Sequence, residues 1–384
     1  MKLTQINAQI VADSISPKGN RLTSLLITFP RFILAEVNTH RMLSKNTSSS
    51  RAVPFSKMVE SINNDPFIPI AWQKRHSGMQ GSEYFTDTEM PNSLEKDWFK
   101  NRWLEARDNA VNQATIFNNA GVTKQLTNRL LEPFMWTTML ITGSKEGWDN
   151  FFELRCPQYY YDLEDKCFKS KKEWLTYYKA NCIGDPNSNF ELDEMDWFNI
   201  NKGQAEIHMM ALAEAIYDAM NESTPNSLLP GEWHVPFANK INGNTIDELI
   251  GRKGEVFQNR EYRNLYDLTR VKISTAMAAR TSYTVVGDEK EINYKRMIEL
   301  HDRLIAQDPP HSSPMEHCAR AMSDEEYYSY HNGLVEGEFD SHPEIGSFFR
   351  ILEGYKFMRD KRNGWCRNFK GFIPYRHLIE NETI

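Results

Sequence analysis

Residues 22–37 constrain the fold most, because they combine an apolar strand pattern with a proline break. Apolar side chains cluster up to Phe29, which predicts a buried strand, and Pro30 separates that strand from a second apolar element. A polar segment, 44–51, follows and is typical of a surface loop. Residues 204–220 instead place apolar side chains at spacings of three and four, which predicts an amphipathic helix. The chain therefore contains both strands and helices.

The length of 384 residues bounds the domain organisation. Hydrophobic residues make up 40% of the chain, which is enough for a packed core and excludes a disordered protein. A single core rarely exceeds about 250–300 residues, so the chain forms two domains or one domain with insertions. Residues 60–100 are rich in Asn, Asp, Pro and Gly, and residues 156–203 in aromatic and charged side chains. We interpret both stretches as insertions in one catalytic domain spanning residues 1–384.

Charge and hydropathy restrict the partners. The net charge of -7 repels polyanions, which argues against a nucleic-acid partner. The first residues lack the apolar core of a signal peptide, and no apolar stretch is long enough to cross a bilayer. We therefore expect a cytoplasmic protein without a membrane partner.

The five cysteines are widely spaced and form no C-x-x-C pair. This pattern predicts reduced thiols rather than a disulfide scaffold, and the spacing between Cys156 and Cys182 does not match a zinc finger or ribbon. A zinc site built from His311, His317 and Cys318 is disfavoured, because adjacent residues on a strand point to opposite faces. We expect no metal.

Phosphate-binding side chains are concentrated in one short segment. The chain has no glycine-rich phosphate loop, so a nucleotide must be held by side chains. Arginine forks, hydroxyls and amides are the groups that do this. They occur in the pattern His40-Arg41-x-x-Ser44-x-Asn46-x-x-Ser49-x-Arg51. A plain surface loop is the competing interpretation.

Further segments accompany this pattern elsewhere in the chain. They are Gly121-Val122, Asn128-Arg129-Leu130-Leu131-Glu132-Pro133, Asn150-Phe151-Phe152-Glu153-Leu154-Arg155, Gly203-Gln204-Ala205-Glu206-Ile207, Ala279-Arg280-Thr281-Ser282-Tyr283 and His311-Ser312-Ser313-Pro314-Met315-Glu316-His317. Together with Thr39-His40-Arg41, seven residues and Ser49, this set resembles the flavin-dependent thymidylate synthases, whose signature is Arg-His-Arg, seven residues and Ser. In that family the last two segments precede the signature. We interpret the different order here as a circular permutation of the family fold, with the usual N-terminal piece moved behind the helix that starts near Gln204.

The resemblance implies an α+β fold of mixed helices and antiparallel sheet. It also implies that reduced FAD delivers a hydride to a dUMP ring that has received a methylene from methylenetetrahydrofolate, giving dTMP. NADPH would reduce the flavin, no cysteine would attack the pyrimidine, and the protein would be a homotetramer with flavin at the subunit interfaces.

The resemblance also implies roles for individual residues. Those implied to hold FAD are His40, Arg41, Asn46, Asn150, Ser313 and Glu316. Those implied to bind the nucleotide are Glu36, Ser49, Arg51, Arg129 and Arg155. Arg155 is the implied catalytic residue, because an arginine beside the ring can stabilise negative charge on the carbonyl oxygens.

Three positions depart from the family pattern. Thr39 stands in place of an arginine, Glu36 in place of a glutamine and Thr47 in place of a glutamate. Altered polarity at two substrate positions leaves a deoxypyrimidine monophosphate hydroxymethylase as an alternative. A non-catalytic nucleotide-binding relative is the other, although three retained arginines argue against it.

Overall fold

A computed structural model gives the structure of residues 5–78, 81, 83–86, 89, 97–251, 260–282, 293–330 and 363–381. Its strands are β1 (Asn7–Ile15), β2 (Arg21–Pro30), β3 (Ser44–Thr47), β4 (Trp136–Ser144), β5 (Tyr159–Tyr161), β6 (Lys166–Phe168), β7 (Asn226–Ser227), β8 (Trp233–His234), β9 (Ala319–Ala321), β10 (Trp365–Cys366), β11 (Phe369–Lys370) and β12 (Phe372–Pro374).

The α-helices are α1 (Leu34–Asn38), α2 (Phe55–Asn64), α3 (Trp98–Asn119), α4 (Lys124–Thr127), α5 (Lys145–Arg155), α6 (Lys171–Tyr178), α7 (Glu194–Ile200), α8 (Ile207–Glu222), α9 (Gly243–Leu249), α10 (Arg260–Thr281), α11 (Tyr294–Ile305), α12 (Asp324–Ser329) and α13 (Tyr375–Glu380). Short 3-10 turns cover Arg31–Ile33, Asn128–Phe134, Asp162–Glu164, Ala238–Lys240 and Ser313–Glu316, and a π-turn covers Lys179–Ile183.

The main sheet has five strands in the order β3-β4-β2-β1-β7. Its pairs are antiparallel except for β1 with β7. β2 lies at the centre and is buried along most of its length, which explains why its apolar side chains Leu22, Leu25, Leu26, Ile27 and Phe29 fall close together. β3 lies at the edge, where its polar side chains can face a ligand.

Helices and a second sheet cover the two faces of the main sheet. On one face α5 and α8 pack Phe151 and Leu212 against Ile27 and Ile141. On the other, Ala278 of α10 packs against Leu140. A three-stranded antiparallel sheet, β12-β9-β8, lies beside α10. The combination of helices with antiparallel sheets makes the fold α+β, as expected.

The second insertion has its own small core. β5, β6, α6 and α7 enclose an aromatic cluster centred on Tyr159, Trp174 and Trp197. The first insertion is described only in part, and there Phe67 packs on Trp103 and Trp136. Whether both belong to one domain stays a prediction.

Local expectations from the sequence agree with the structure in most places. The predicted strand is β2, which ends at Pro30, and the predicted helix is α8. α8 begins at Ile207 because the Glu206 carboxylate caps it, accepting bonds from the N–H groups of His208 and Met209 at 2.8 and 3.0 Å. The predicted surface loop, in contrast, is wrong over Ser44–Thr47, which pairs with β4 as β3.

No helix in the described ranges is both long and apolar enough to traverse a bilayer. Within those same ranges, no three His, Cys, Asp or Glu side chains form a group that could hold a metal ion.

Candidate active site

Strand β3 organises the candidate site, because the signature residues lie at both of its ends. The turn before it carries His40 and Arg41, and the loop after it carries Ser49 and Arg51. Asn46 ties the strand to α10. Its amide nitrogen donates to the carbonyl of Ala278, and its Oδ1 lies 3.4 Å from the Ser282 hydroxyl. The Asn46 side chain therefore holds β3 in place.

The first group, which we call the His40 cluster, consists of Glu36, His40 and Arg155. Arg155 closes α5 and donates its Nε hydrogen to Nε2 of His40 at 2.9 Å. Its Nη1 lies 3.6 Å from the Glu36 carboxylate. Among the described residues, Nη2 has no partner and remains available to a ligand.

His40 is uncharged in this arrangement. The ring is 7% exposed, and burial lowers its pKa to about 4, with Arg155 and Lys45 contributing in the same direction. Because Nε2 accepts the hydrogen bond from Arg155, the ring proton lies on Nδ1. His40 therefore offers a neutral N–H donor.

Glu36 is the acidic member of the cluster. Burial raises the pKa of its carboxyl group, the nearby Glu206 raises it further, and Arg155 opposes both effects. A carboxylate in this position can accept a hydrogen bond from a ligand or act as a base toward water.

The second group, which we call the Ser49 cluster, consists of Ser49, Arg51 and Arg129. The Ser49 N–H donates to the carbonyl of Ser282 at 2.9 Å. Arg51 and Arg129 are both exposed. The guanidinium group of Arg31 lies nearby. Burial lowers the pKa of Arg31, the carboxylate of Glu132 opposes this effect, and the charge of Arg129 adds to it.

A network of buried side chains makes the loop of the Ser49 cluster rigid. Arg31 donates to the Ser48 carbonyl at 2.6 Å, and Asn128 donates to the carbonyls of Ser50 and Val53 at 2.6 and 3.0 Å. Glu132 accepts a bond from the Ser50 hydroxyl at 2.6 Å. The exposed guanidinium groups are therefore carried by a fixed backbone.

The structure divides the residues that the sequence assigned to the nucleotide. Glu36 and Arg155 lie with His40. Ser49, Arg51 and Arg129 form the Ser49 cluster at the far end of β3. The four residues of β3, which span about 13 Å, lie between the two clusters.

The remaining assigned residues differ in how they relate to the His40 cluster. Arg41 is exposed, and its carbonyl accepts a bond from Asn368 at 3.4 Å. Ser313 begins the turn that ends at Glu316, whose carboxylate bonds to Arg376 of α13. Asn150 lies exposed on α5, and the described residues place it in no contact with the cluster. Tyr283 lies outside the described residues.

Sequence reasoning missed several residues that hold the site. Asn128 and Glu132 stand in one family-like segment beside Arg129, but the sequence assigns neither a role. Arg31 and Arg376 gave no signal, because each acts on a residue far away in the sequence.

A buried chain of hydrogen bonds crosses the sheet behind the site. His234 bonds to Ser14 and Ser24 at 2.9 and 2.8 Å, Ser24 bonds to Thr142 at 2.6 Å, and Thr142 bonds to Nδ1 of His317 at 2.8 Å. Nε2 of His317 is buried without a partner among the described residues. His317, which carries this orphaned atom, directly follows Glu316 in the chain.

Comparison with known proteins yields distant structural neighbours alone. No family model matches the chain, and no curated protein matches it. A UMP/dUMP methylase, PolB, from Streptomyces cacaoi bound with 5-Br dUMP aligns at 11% identity and a TM-score of 0.37, covering 57% of this chain and 92% of its own. The same methylase bound with 5-Br UMP aligns at 16% identity and a TM-score of 0.32, covering 40% and 77%.

Thymidylate synthase X from Helicobacter pylori, with FAD and dUMP, aligns at 15% identity and a TM-score of 0.25, covering 52% of this chain and 67% of its own. At these TM-scores the alignments carry no conclusion about the activity of this chain.

Proposed function

We propose that this protein is an enzyme that transfers a one-carbon unit from methylenetetrahydrofolate to C5 of dUMP, with FAD as cofactor and NADPH as reductant. The observation that carries the proposal is the convergence of distant family-like segments. Arg155 bonds to His40, Asn46 to Ala278, and Ser49 to Ser282, across 115 to more than 230 residues of chain. We also propose that the order of these segments reflects a circular permutation.

The residues near the His40 cluster fit an anionic dinucleotide. His40 offers its Nδ1–H and Arg155 offers the hydrogens of Nη2. His40, Arg41, Ser313 and Glu316 would hold FAD, with Asn150 nearby, while Asn46 positions β3. When bound, FAD supplies the hydride that this chemistry requires.

The nucleotide would use both clusters. Arg51, Arg129 and the Ser49 hydroxyl would bind its phosphate through charge-assisted hydrogen bonds. Arg155 would donate to a carbonyl oxygen of the ring, and its bond to His40 fixes the guanidinium before the ligand arrives. We further propose that the enzyme is a homotetramer, in which a neighbouring copy could bring one cluster to the other.

The chemistry proposed for the ring needs no protein nucleophile. Cys156, the cysteine next to Arg155, is buried, and burial raises the pKa of its thiol, with neighbouring acids adding to the effect. A thiol of this kind forms little thiolate at neutral pH. Electrostatic stabilisation by Arg155 is therefore the proposed main contribution.

Hydroxymethylation is the second candidate, and Glu36 is the observation that favours it. A carboxyl with a raised pKa beside Arg155 is a better base toward water than the family's glutamine. Water, instead of a hydride, would then add to the methylene group on the ring.

The test is to incubate the protein with methylenetetrahydrofolate, FAD, NADPH and either dUMP or dCMP, and to weigh the products by mass spectrometry. We expect dTMP from dUMP. A hydroxymethyl product would overturn the methylation proposal in favour of the second candidate. Failure to bind FAD or either nucleotide would overturn the enzyme proposal as a whole.

A further inference from the structure

Lys45 is a half-buried cation in the middle of the candidate site. It lies on β3 opposite Ile141, between the turn that carries His40 and the loop that carries Ser49. Its Nζ donates to the carbonyl oxygen of His40 at 2.5 Å. Among the described residues, no carboxylate lies within 4.0 Å of this ammonium group. Burying an ammonium group without an acidic partner is unfavourable, so a structural role alone does not account for it.

The acids near Lys45 are already paired with arginines. Glu36 faces Arg155 at 3.6 Å, and Glu316, the acid whose charge acts on Lys45, bonds to Arg376. Arg376 is shared with Glu380, which lies 2.7 Å from its Nε. Glu316 acts on Lys45 as a negative charge, but it bonds to Arg376 and forms no ion pair with Lys45. His40 feels both Lys45 and Arg155 as positive charges that disfavour its own protonation.

We propose that Lys45 binds an anionic group of the ligand held at the His40 cluster, and that it supplies there the positive charge missing at Thr39. Thr39 cannot supply it, because its side chain is uncharged, and its hydroxyl donates to the carbonyl of Glu36 at 2.6 Å. The identity of the ligand, FAD, rests on the proposed function. The need for an anion rests on the unpaired ammonium.

The proposal makes ligand binding depend on pH in a defined window. Burial lowers the pKa of Lys45 to about 8, with Glu316 opposing this effect. A bound anion favours the charged form and raises that pKa. Affinity is therefore full below about pH 8 and falls by up to about tenfold per pH unit above it.

The other charged groups around Lys45 do not titrate in that window. His40 is neutral above about pH 4. The other charged groups nearby are the carboxyl groups of Glu36 and Glu316 and the guanidinium groups of Arg155 and Arg376, and side chains of these two types ordinarily change charge far outside this window. A change in FAD affinity between pH 7 and pH 9.5 that Lys45→Arg abolishes therefore reports on Lys45.

The experiment measures, by calorimetry, binding of FAD at pH 7 and pH 9.5 and binding of inorganic pyrophosphate at pH 7. The proteins are the wild type, Lys45→Met, Lys45→Arg and the control Lys145→Met, which removes an exposed lysine of α5 that pairs with Asp149 at 2.5 Å. We expect Lys45→Met to bind about tenfold to a hundredfold more weakly at pH 7. Lys45→Arg should bind well and lose the pH dependence, and the control should match the wild type.

Each outcome separates this inference from the proposed function. The inference is overturned if Lys45→Met binds FAD as tightly as the wild type and Lys45→Arg keeps the pH profile of the wild type. Lys45 would then only hydrogen-bond to the His40 carbonyl. If FAD does not bind but pyrophosphate binds in a Lys45-dependent way, the inference stands and the flavin proposal falls. If neither probe binds to the wild type, both are overturned. Melting temperatures show whether each variant is folded.

Discussion

At one end of β3, an imidazole and a guanidinium lie largely out of solvent and bond to each other. At the other end, the guanidinium groups of Arg51, in the loop after β3, and of Arg129, in a separate 3-10 turn, are exposed. In the His40 cluster the side chains themselves are fixed by their partners. In the Ser49 cluster the backbone is fixed, through Arg31, Asn128 and Glu132, and the arginine side chains are exposed to solvent. The first arrangement suits chemistry at a defined point, and the second suits capture of a charged group.

This contrast predicts that substitutions in the His40 cluster change rates, whereas substitutions in the Ser49 cluster change affinity. Fixed dipoles and charges stabilise a transition state because they need no reorganisation during the reaction. Flexible surface arginines instead contribute to binding through charge-assisted hydrogen bonds.

The largest effect is expected from Arg155→Lys. Lysine cannot donate to His40 and to the ring through one planar group, so turnover should fall by about a hundredfold to a thousandfold. The measurement is the rate at which bound nucleotide and methylenetetrahydrofolate reoxidise the reduced flavin. Arg102→Lys, at an exposed arginine of α3 paired with Glu105, is the matched control. A normal rate in Arg155→Lys would show that Arg155 does not face the ring.

A smaller effect, on binding alone, is expected from Arg51→Ala. Removing one charge-assisted contact to phosphate should weaken dUMP binding by about tenfold to a hundredfold. Isothermal titration at two salt concentrations is the measurement, and the difference between variant and wild type should shrink as salt rises. Arg102→Ala serves as the control. The contrast between the clusters fails if Arg51→Ala lowers turnover at saturating dUMP as strongly as Arg155→Lys does.

The neutral state of His40 predicts a loss of stability in acid. Its pKa is about 4 in the folded protein and near 6.5 in the unfolded chain, so the unfolded state binds more protons between these values. Stability is therefore full above about pH 6.5 and is lost as the pH falls toward 4.

Urea unfolding of the wild type and of His40→Gln at pH 7 and pH 5 tests this expectation. From pH 7 to pH 5, the free energy of unfolding of the wild type should fall by about 1–2 kcal/mol more than that of the variant. His311→Gln, which removes an exposed histidine, should behave like the wild type. Equal losses in the wild type and in His40→Gln would mean that His40 is charged in the folded protein.

The smallest effect is expected from Cys156→Ser. Cys156 packs beside α8 and has a raised pKa, so its replacement should cost about 1 kcal/mol of stability and leave turnover within about twofold. Steady-state rates of the purified variant are the measurement. Complete loss of turnover in a folded, flavin-binding variant would replace the electrostatic mechanism with a covalent one.

Much of the secondary structure and the identity of the candidate residues follow from local patterns. The apolar run up to Phe29 predicts β2, and the spacing in residues 204–220 predicts α8, because burial selects side chains by the period of the element. The hydroxyls and arginines of residues 40–51 identify a candidate phosphate-binding segment by their chemistry alone. β3 could not be predicted in this way, since its four polar residues form a strand only because β4 offers a free edge.

The amino-acid sequence by itself determined which side chains could bind a nucleotide and which helices and strands carry most of them. Only the tertiary structure decided which of these side chains meet. It joined Arg155 to His40, separated both from Arg51, and buried Lys45 without an acidic partner among the described residues. The physical reason is that tautomer, charge state and pairing depend on burial and on neighbours that lie more than a hundred residues away in the chain.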